Sequence, residues 1–157
     1  MRDYFHRLRT FDDWANGEIA RALAADGAPN EGTRLLAHIV GAEWLWLQRL
    51  GAGGRALEVW PALSLVECAA ELPLLSAEWE RFLGAGNRSW AERISYVNSK
   101  GESWTSEVRD VLTHVFAHGV HHRAQIVTLF RQAGMTPPYV DFIEAARRGH
   151  LDRASEV

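Results

Sequence analysis

Apolar residues recur at intervals of three and four along most of the chain, the spacing that gives an α-helix one oily stripe. In residues 3–25 the stripe runs through Leu8, Phe11, Ala15, Ile19, Ala22 and Leu23, and the turn-forming DGAPNEG ends it. Residues 33–50 repeat it through Leu35, Leu36, Ile39, Trp46, Leu47 and Leu50, with Gly51 as a stop. GAGGRALEVWPAL reads as a loop, after which Ser64 caps a third helix running through Cys68, Leu72, Leu75, Trp79 and Phe82 to Gly84. Pro73 falls inside that helix and predicts a kink or break, because proline removes a backbone donor and crowds the preceding turn. Over residues 91–104 the period changes: Ile94 and Tyr96 alternate and NSKG is a turn, which predicts a short hairpin. Two strands alone are marginal, so the hairpin has to lie against helices. From Ser106 to Ala133 helical spacing returns through Val108, Val111, Leu112, Val115, Phe116, Val120, Ile126, Val127, Leu129 and Phe130, closed by Gly134, Pro137 and Pro138. DFIEAARRGH predicts a short last helix with Asp141 near its start and basic residues near its end. The expected fold is all-α: one domain over residues 1–157, an antiparallel four-helix bundle with a short terminal helix and a small β-hairpin before the long fourth helix.

Composition narrows the function classes. The 157 residues are 47% hydrophobic and 24% charged with net charge −3, a globular mix without the clustered cations that phosphate binding needs. Nucleic acid is therefore not the expected partner. Nor is a membrane, since no apolar run approaches the ~18 residues of a span. The polar opening MRDYFHRLRTFDDW reads against a signal peptide, so the cytoplasm is the expected location. The single cysteine, Cys68, excludes an internal disulfide and reads as an inert core thiol.

The chemistry sits in HVFAHGVHHRAQI, residues 114–126, which holds four of the seven histidines. With His114 at zero on an ideal helix, His118, His121 and His122 fall near about 40°, −20° and 80°. They share one face, which continues into apolar Leu129 and so is expected to point inward. Buried imidazoles cost free energy unless each finds a hydrogen bond or a metal, and a divalent cation binds neutral imidazole directly. His118 and His122, and equally His114 and His118, are four apart, the one-turn spacing of helical zinc sites. Position 119 is Gly, so this is not the HEXXH protease motif. The best third ligand from elsewhere is His38, alone on the apolar side of the second helix. Three imidazoles from two facing helices leave a coordination position open for water or substrate. His114 and His121 stay open as ligands or as hydrogen-bond partners of ligands. His6 and His150 read as solvated. Glu43 is displaced by about 140° from His38 and need not face the ion. Tyr96 and Asn98 are candidates to border the pocket, and Trp44, Trp46 and Trp104 to reach its rim or a dimer surface.

HVFAHGVHHRAQI also resembles the long-helix signature of the DinB/YfiT-like family of bacterial metalloenzymes, and LLAHIVGAEWLWLQRL resembles its second-helix signature. FDDWANGEIARAL is similar to the family's first helix, YVNSKGESW to its loop before the long helix, and Asp141-Phe142 to its ending. The resemblance implies a four-helix bundle, usually homodimeric, with a divalent metal held by three histidines, here His38, His118 and His122. Ala124 stands where the family often has glycine, and Ala117 where asparagine is frequent. Characterised relatives include thiol transferases and isomerases, and an open metal position can activate a thiol or water, so the expected function is a metal-dependent thiol S-transferase or hydrolase acting on a small-molecule substrate. Zinc or nickel is the expected ion, with iron or manganese also suited to such a site, and a low-molecular-weight thiol is an expected co-substrate. The alternative is a non-catalytic, metal-binding or stress-related bundle whose ion ties two helices together, closed by a fourth ligand such as His114 or His121. A metal-free bundle would have to satisfy three facing imidazoles by other means.

Overall fold

The computed structural model describes residues 1–86 and 88–152. Its elements are α1 (Arg2–Leu23), α2 (Asn30–Arg49), α3 (Leu65–Gly84), β1 (Arg93–Val97), β2 (Ser103–Glu107), α4 (Val108–Gln132) and α5 (Phe142–Arg147). α2 packs on α4 and α3, and α1 on α3 and α4, so the four long helices form the bundle the periodicity predicts. The strands pair antiparallel, Ser95 opposite Thr105 and Tyr96 opposite Trp104, and lie against α2 and α4.

Local chemistry explains most boundaries. Ser64 and Glu67 form a reciprocal capping box that starts α3. Gly51 and Gly134, both at φ +72°, take the left-handed turn that ends α2 and α4. Three expectations need correction. α2 starts at Asn30 and not at 33, following extended Pro29. α4 starts at Val108 and not at Ser106, because Ser106 and Glu107 are held in the sheet opposite Ile94 and Arg93. At Pro73 it is the break that does not occur: α3 stays helical there, and because that face is exposed the carbonyl that proline leaves unpaired meets water.

The core has two large apolar clusters. One gathers Phe5, Trp44, Leu47, Trp79, Leu112 and Phe116; the other gathers Ile19, Leu36, Ile39, Cys68, Ile126 and Phe130. Cys68 is fully buried and its thiol is pushed up to about 11 by desolvation, so it stays protonated and unreactive. Among the described residues no helix is long and apolar enough to cross a membrane. A third, smaller cluster gathers Phe11, Ala15, Ala145 and Leu151.

Candidate metal centre

The seam between α2 and α4 brings His38 together with His118 and His122, and one ligand atom from each ring lies within 4.8 Å of the others. His118 Nε2 is 3.1 Å from Nε2 of His38 and 3.1 Å from Nε2 of His122. These separations match a shared ion, because metal–nitrogen bonds of roughly 2.0–2.1 Å place two ligand nitrogens about 3.0–3.4 Å apart.

The placement of protons makes the argument sharper. Nδ1 of His38 lies 2.7 Å from the carbonyl oxygen of Val59, which can only accept, so the proton is on Nδ1 and Nε2 carries a lone pair. Nδ1 of His122 likewise donates to Oε1 of Gln125 at 2.7 Å, while the Gln125 amide nitrogen faces His121. Two lone pairs therefore point at His118 Nε2, which has at most one proton to give. One of the two contacts is left as lone pair against lone pair. Protonating more rings would instead crowd like charges, and the burial of this cluster opposes it: desolvation lowers all three pKa values, His118 to about 3 with added repulsion from its histidine neighbours. A divalent cation accepts all three lone pairs at once, so the donor set fits the metal that the sequence implies.

A glycine makes His38's support possible. A Cβ on Gly41 would stand 2.6 Å from the Glu58 carbonyl oxygen and 2.8 Å from the Pro61 ring, so only glycine lets residues 58–61 lie on α2. That approach delivers the Val59 carbonyl to Nδ1 and lays Trp60 flat on the His38 ring, 3.7 Å between centroids and 7° between planes. Gly41→Ala is expected to lift this loop and weaken zinc binding about tenfold to a hundredfold, the usual effect of losing a ligand's outer partner, as calorimetry would show.

The other histidines divide. His114 and His121 are exposed and lie outside the converging group, so the four do not all point inward. The α2–α4 seam covers the His118 and His122 side of the histidine face, and the side that carries His114, His121 and Gln125 meets water. His6, expected to be solvated, is 5% exposed and paired through Nδ1 with Glu80 at 3.2 Å, because its face of α1 packs on α3. His150 is exposed and stacks on Trp14. Asn98 closes the hairpin turn through Glu102 and the Lys100 amide and does not border the site. Trp44 is a core residue, 2% exposed, donating to Glu71. Trp104 is exposed, and Ala117 and Ala124 both face solvent.

Two grooves flank the centre along the same seam. One, of 540 Å³, is lined by Arg34, Trp60, His122 and Gln125; the other, of 260 Å³, by Trp46, Tyr96, Ser106, Asp110 and His114. A further cavity of 290 Å³, beneath Pro138 and Tyr139, has no histidine in its wall.

Sequence reasoning missed the network behind the centre. Arg9, Asp12 and Asn16 of α1, Glu43 of α2 and Arg123 of α4 are buried together. Arg9 donates to Glu43, Asp12 and Asp13; Arg123 donates to Asp12 at 2.6 Å and Asn16 at 2.7 Å; Asn16 and Trp79 donate to Glu43. Its signal was a row of polar residues at 9, 12 and 16 on the stripe side of α1, at helical spacing. Arg123 adjoins His122, and a Cβ on Gly119 would come within 2.7 Å of Asp12. The network thus holds the face of α4 next to His118 and His122.

Residues 30–150 match the DinB family. The chain belongs to the DinB family. Comparison with curated proteins and with solved structures found no significant match. The match spans α2 to α5 and contains all three converging histidines of this DinB-family protein, while α1 with Arg9, Asp12 and Asn16 lies before it. In the metal-free protein, His118 titrates well below the roughly 6.5 of an unfolded histidine. The unfolded chain therefore binds a proton that the folded chain refuses, and stability is expected to fall as pH drops from about 6.5 toward 3. Thermal unfolding of chelator-treated protein across that range would show it, with a shallower slope for His118→Asn.

Proposed function

We propose that this DinB-family protein is a divalent-metal-dependent enzyme of the thiol-transfer or hydrolytic type, acting on a small molecule. The observation that carries the reading is the convergence of three Nε2 atoms, with the protons of His38 and His122 committed to Val59 and Gln125 so that two lone pairs face His118. An ion held there supplies Lewis acidity, which lowers the pKa of a bound thiol or water and yields a nucleophile at neutral pH. The protein's own part is orientation. Val59 and Gln125 set the tautomers of His38 and His122, Trp60 covers one face of His38, and the Arg123 network fixes α4. His114 and His121 stand outside the donor group, which supports an open coordination position over a closed, purely structural one. Zinc or nickel as the ion, and a low-molecular-weight thiol as co-substrate, belong to the same reading. So does the homodimer expected of the family, which sedimentation analysis tests.

The deciding experiment uses untagged protein. After incubation with zinc or nickel it should hold about one equivalent; less than a tenth of an equivalent would refute metal binding. Chelation should then abolish, and the metal restore, thiol conjugation of a chromogenic electrophile or ester hydrolysis. One bound equivalent with neither activity would favour the structural-ion alternative.

A further inference from the structure

In the last turn of α2, Arg49 makes no ion pair among the described residues. The guanidinium carbon of Arg49 lies 4.6 Å from the ring centre of Trp46 and 4.8 Å from that of Tyr96, so two aromatic faces fix it in place. It is partly buried, and among the described residues its side chain makes one hydrogen bond, from Nη2 to the Val97 carbonyl at 3.1 Å. A guanidinium carries five N–H donors, so most of this fork is unused. Burial pulls its pKa down, and the group that offsets this is the Tyr96 hydroxyl, not a carboxylate. The comparison within the molecule is direct. Arg34, stacked on Trp60 beside the other groove, is clamped by Glu31, and Arg123 over Phe11 is held by Asp12.

Trp46 and Tyr96 also line the 260 Å³ cleft with Ser106, Asp110 and His114. Arg49 is close enough to His114 to lower its pKa, and the His114 ring stands 5.3 Å from Trp46 and 5.7 Å from His118. Arg49 thus lies over two of the aromatic rings that wall the cleft, and His114, also in its wall, leads on to His118. The cleft's volume is just below the roughly 300–1,000 Å³ of pockets for drug-sized ligands, which suits one substituted ring. Asp110 lines the same cleft and would repel a second anionic group there.

We propose that this cleft is the carboxylate-binding subsite of the protein, and that its substrate class is a small aromatic carboxylic acid anchored by Arg49. The carboxylate takes the free guanidinium fork, the ring lies against Trp46 and Tyr96, and the reacting end reaches toward His118. The last element rests on the metal-enzyme reading; binding by the subsite does not. The test titrates benzoate, and its neutral isostere benzamide, into full-length, chelator-treated protein near pH 8, followed by calorimetry. Benzoate should bind with saturation, benzamide about tenfold to a hundredfold more weakly, and Arg49→Gln should weaken benzoate by a similar factor, with Arg49→Lys in between. No saturable benzoate binding, equal binding of benzamide, or full binding by a folded Arg49→Gln would each overturn the subsite. The benzoate and benzamide comparison uses wild-type protein and stands even if the variant does not fold. Zinc titration of the same samples separates the two readings. Benzoate binding without zinc binding would sink the metal enzyme and keep the subsite, and zinc binding without benzoate binding would do the reverse.

Discussion

His118→Ala is expected to lower zinc affinity by more than about a hundredfold, beyond the 10–100-fold typical of losing an outer partner. His118 is the shared neighbour in the cluster, 3.1 Å from each of the other two ring nitrogens. Its removal leaves His38 and His122 on different helices with no third donor between them. The control is His150→Ala, an exposed ring stacked on Trp14, which should bind zinc like the wild type. His6→Ala is a poor control, since that ring is buried against Glu80 and its loss disturbs the α1–α3 contact. Competition calorimetry against a chelator of known affinity would decide, and similar affinities for the His118 and His150 variants would refute the ligand assignment.

Glu43→Ala should destabilise the fold by about 3–5 kcal/mol, the range for removing one partner of a buried ion pair. The carboxylate is 2% exposed and accepts hydrogen bonds from Arg9, Asn16 and Trp79. Without it Arg9, which is fully buried, loses the nearer of its two buried counter-charges, the Trp79 indole N–H loses its acceptor, and Asn16 keeps only its bond to Asp12. Burial pushes the Glu43 carboxyl up to about 7, with neighbouring Asp12 adding to the rise and Arg9 opposing it. Urea unfolding would measure the loss; a cost under about 1 kcal/mol would mean that the network relaxes or admits water. Loss of metal affinity in the same variant would show that the network also positions α4.

How the centre is held together was only partly legible in the chain. The pair His118 and His122 is a one-turn relation within a single helix, so spacing alone places both rings on one side. His38 lies 80 residues from His118, and its candidacy came from a lone imidazole on an apolar stripe and from family likeness. The residues that hold the ligands were not legible. Val59 and Trp60 come from a segment without periodicity, pressed onto α2 by the bare backbone at Gly41. Arg123 looks like an ordinary surface charge, and the polar row on α1 does not name its partners, until three helices close around them.

Local periodicity and capping therefore determined, from the sequence by itself, the helices, the hairpin and the one-turn histidine pair, because each depends on contacts within a few residues. Only the tertiary structure decided which histidines face inward, which loop orients His38 and which charges are buried. Those outcomes depend on where the edge of a neighbouring helix falls, a distance in space that no spacing along the chain encodes.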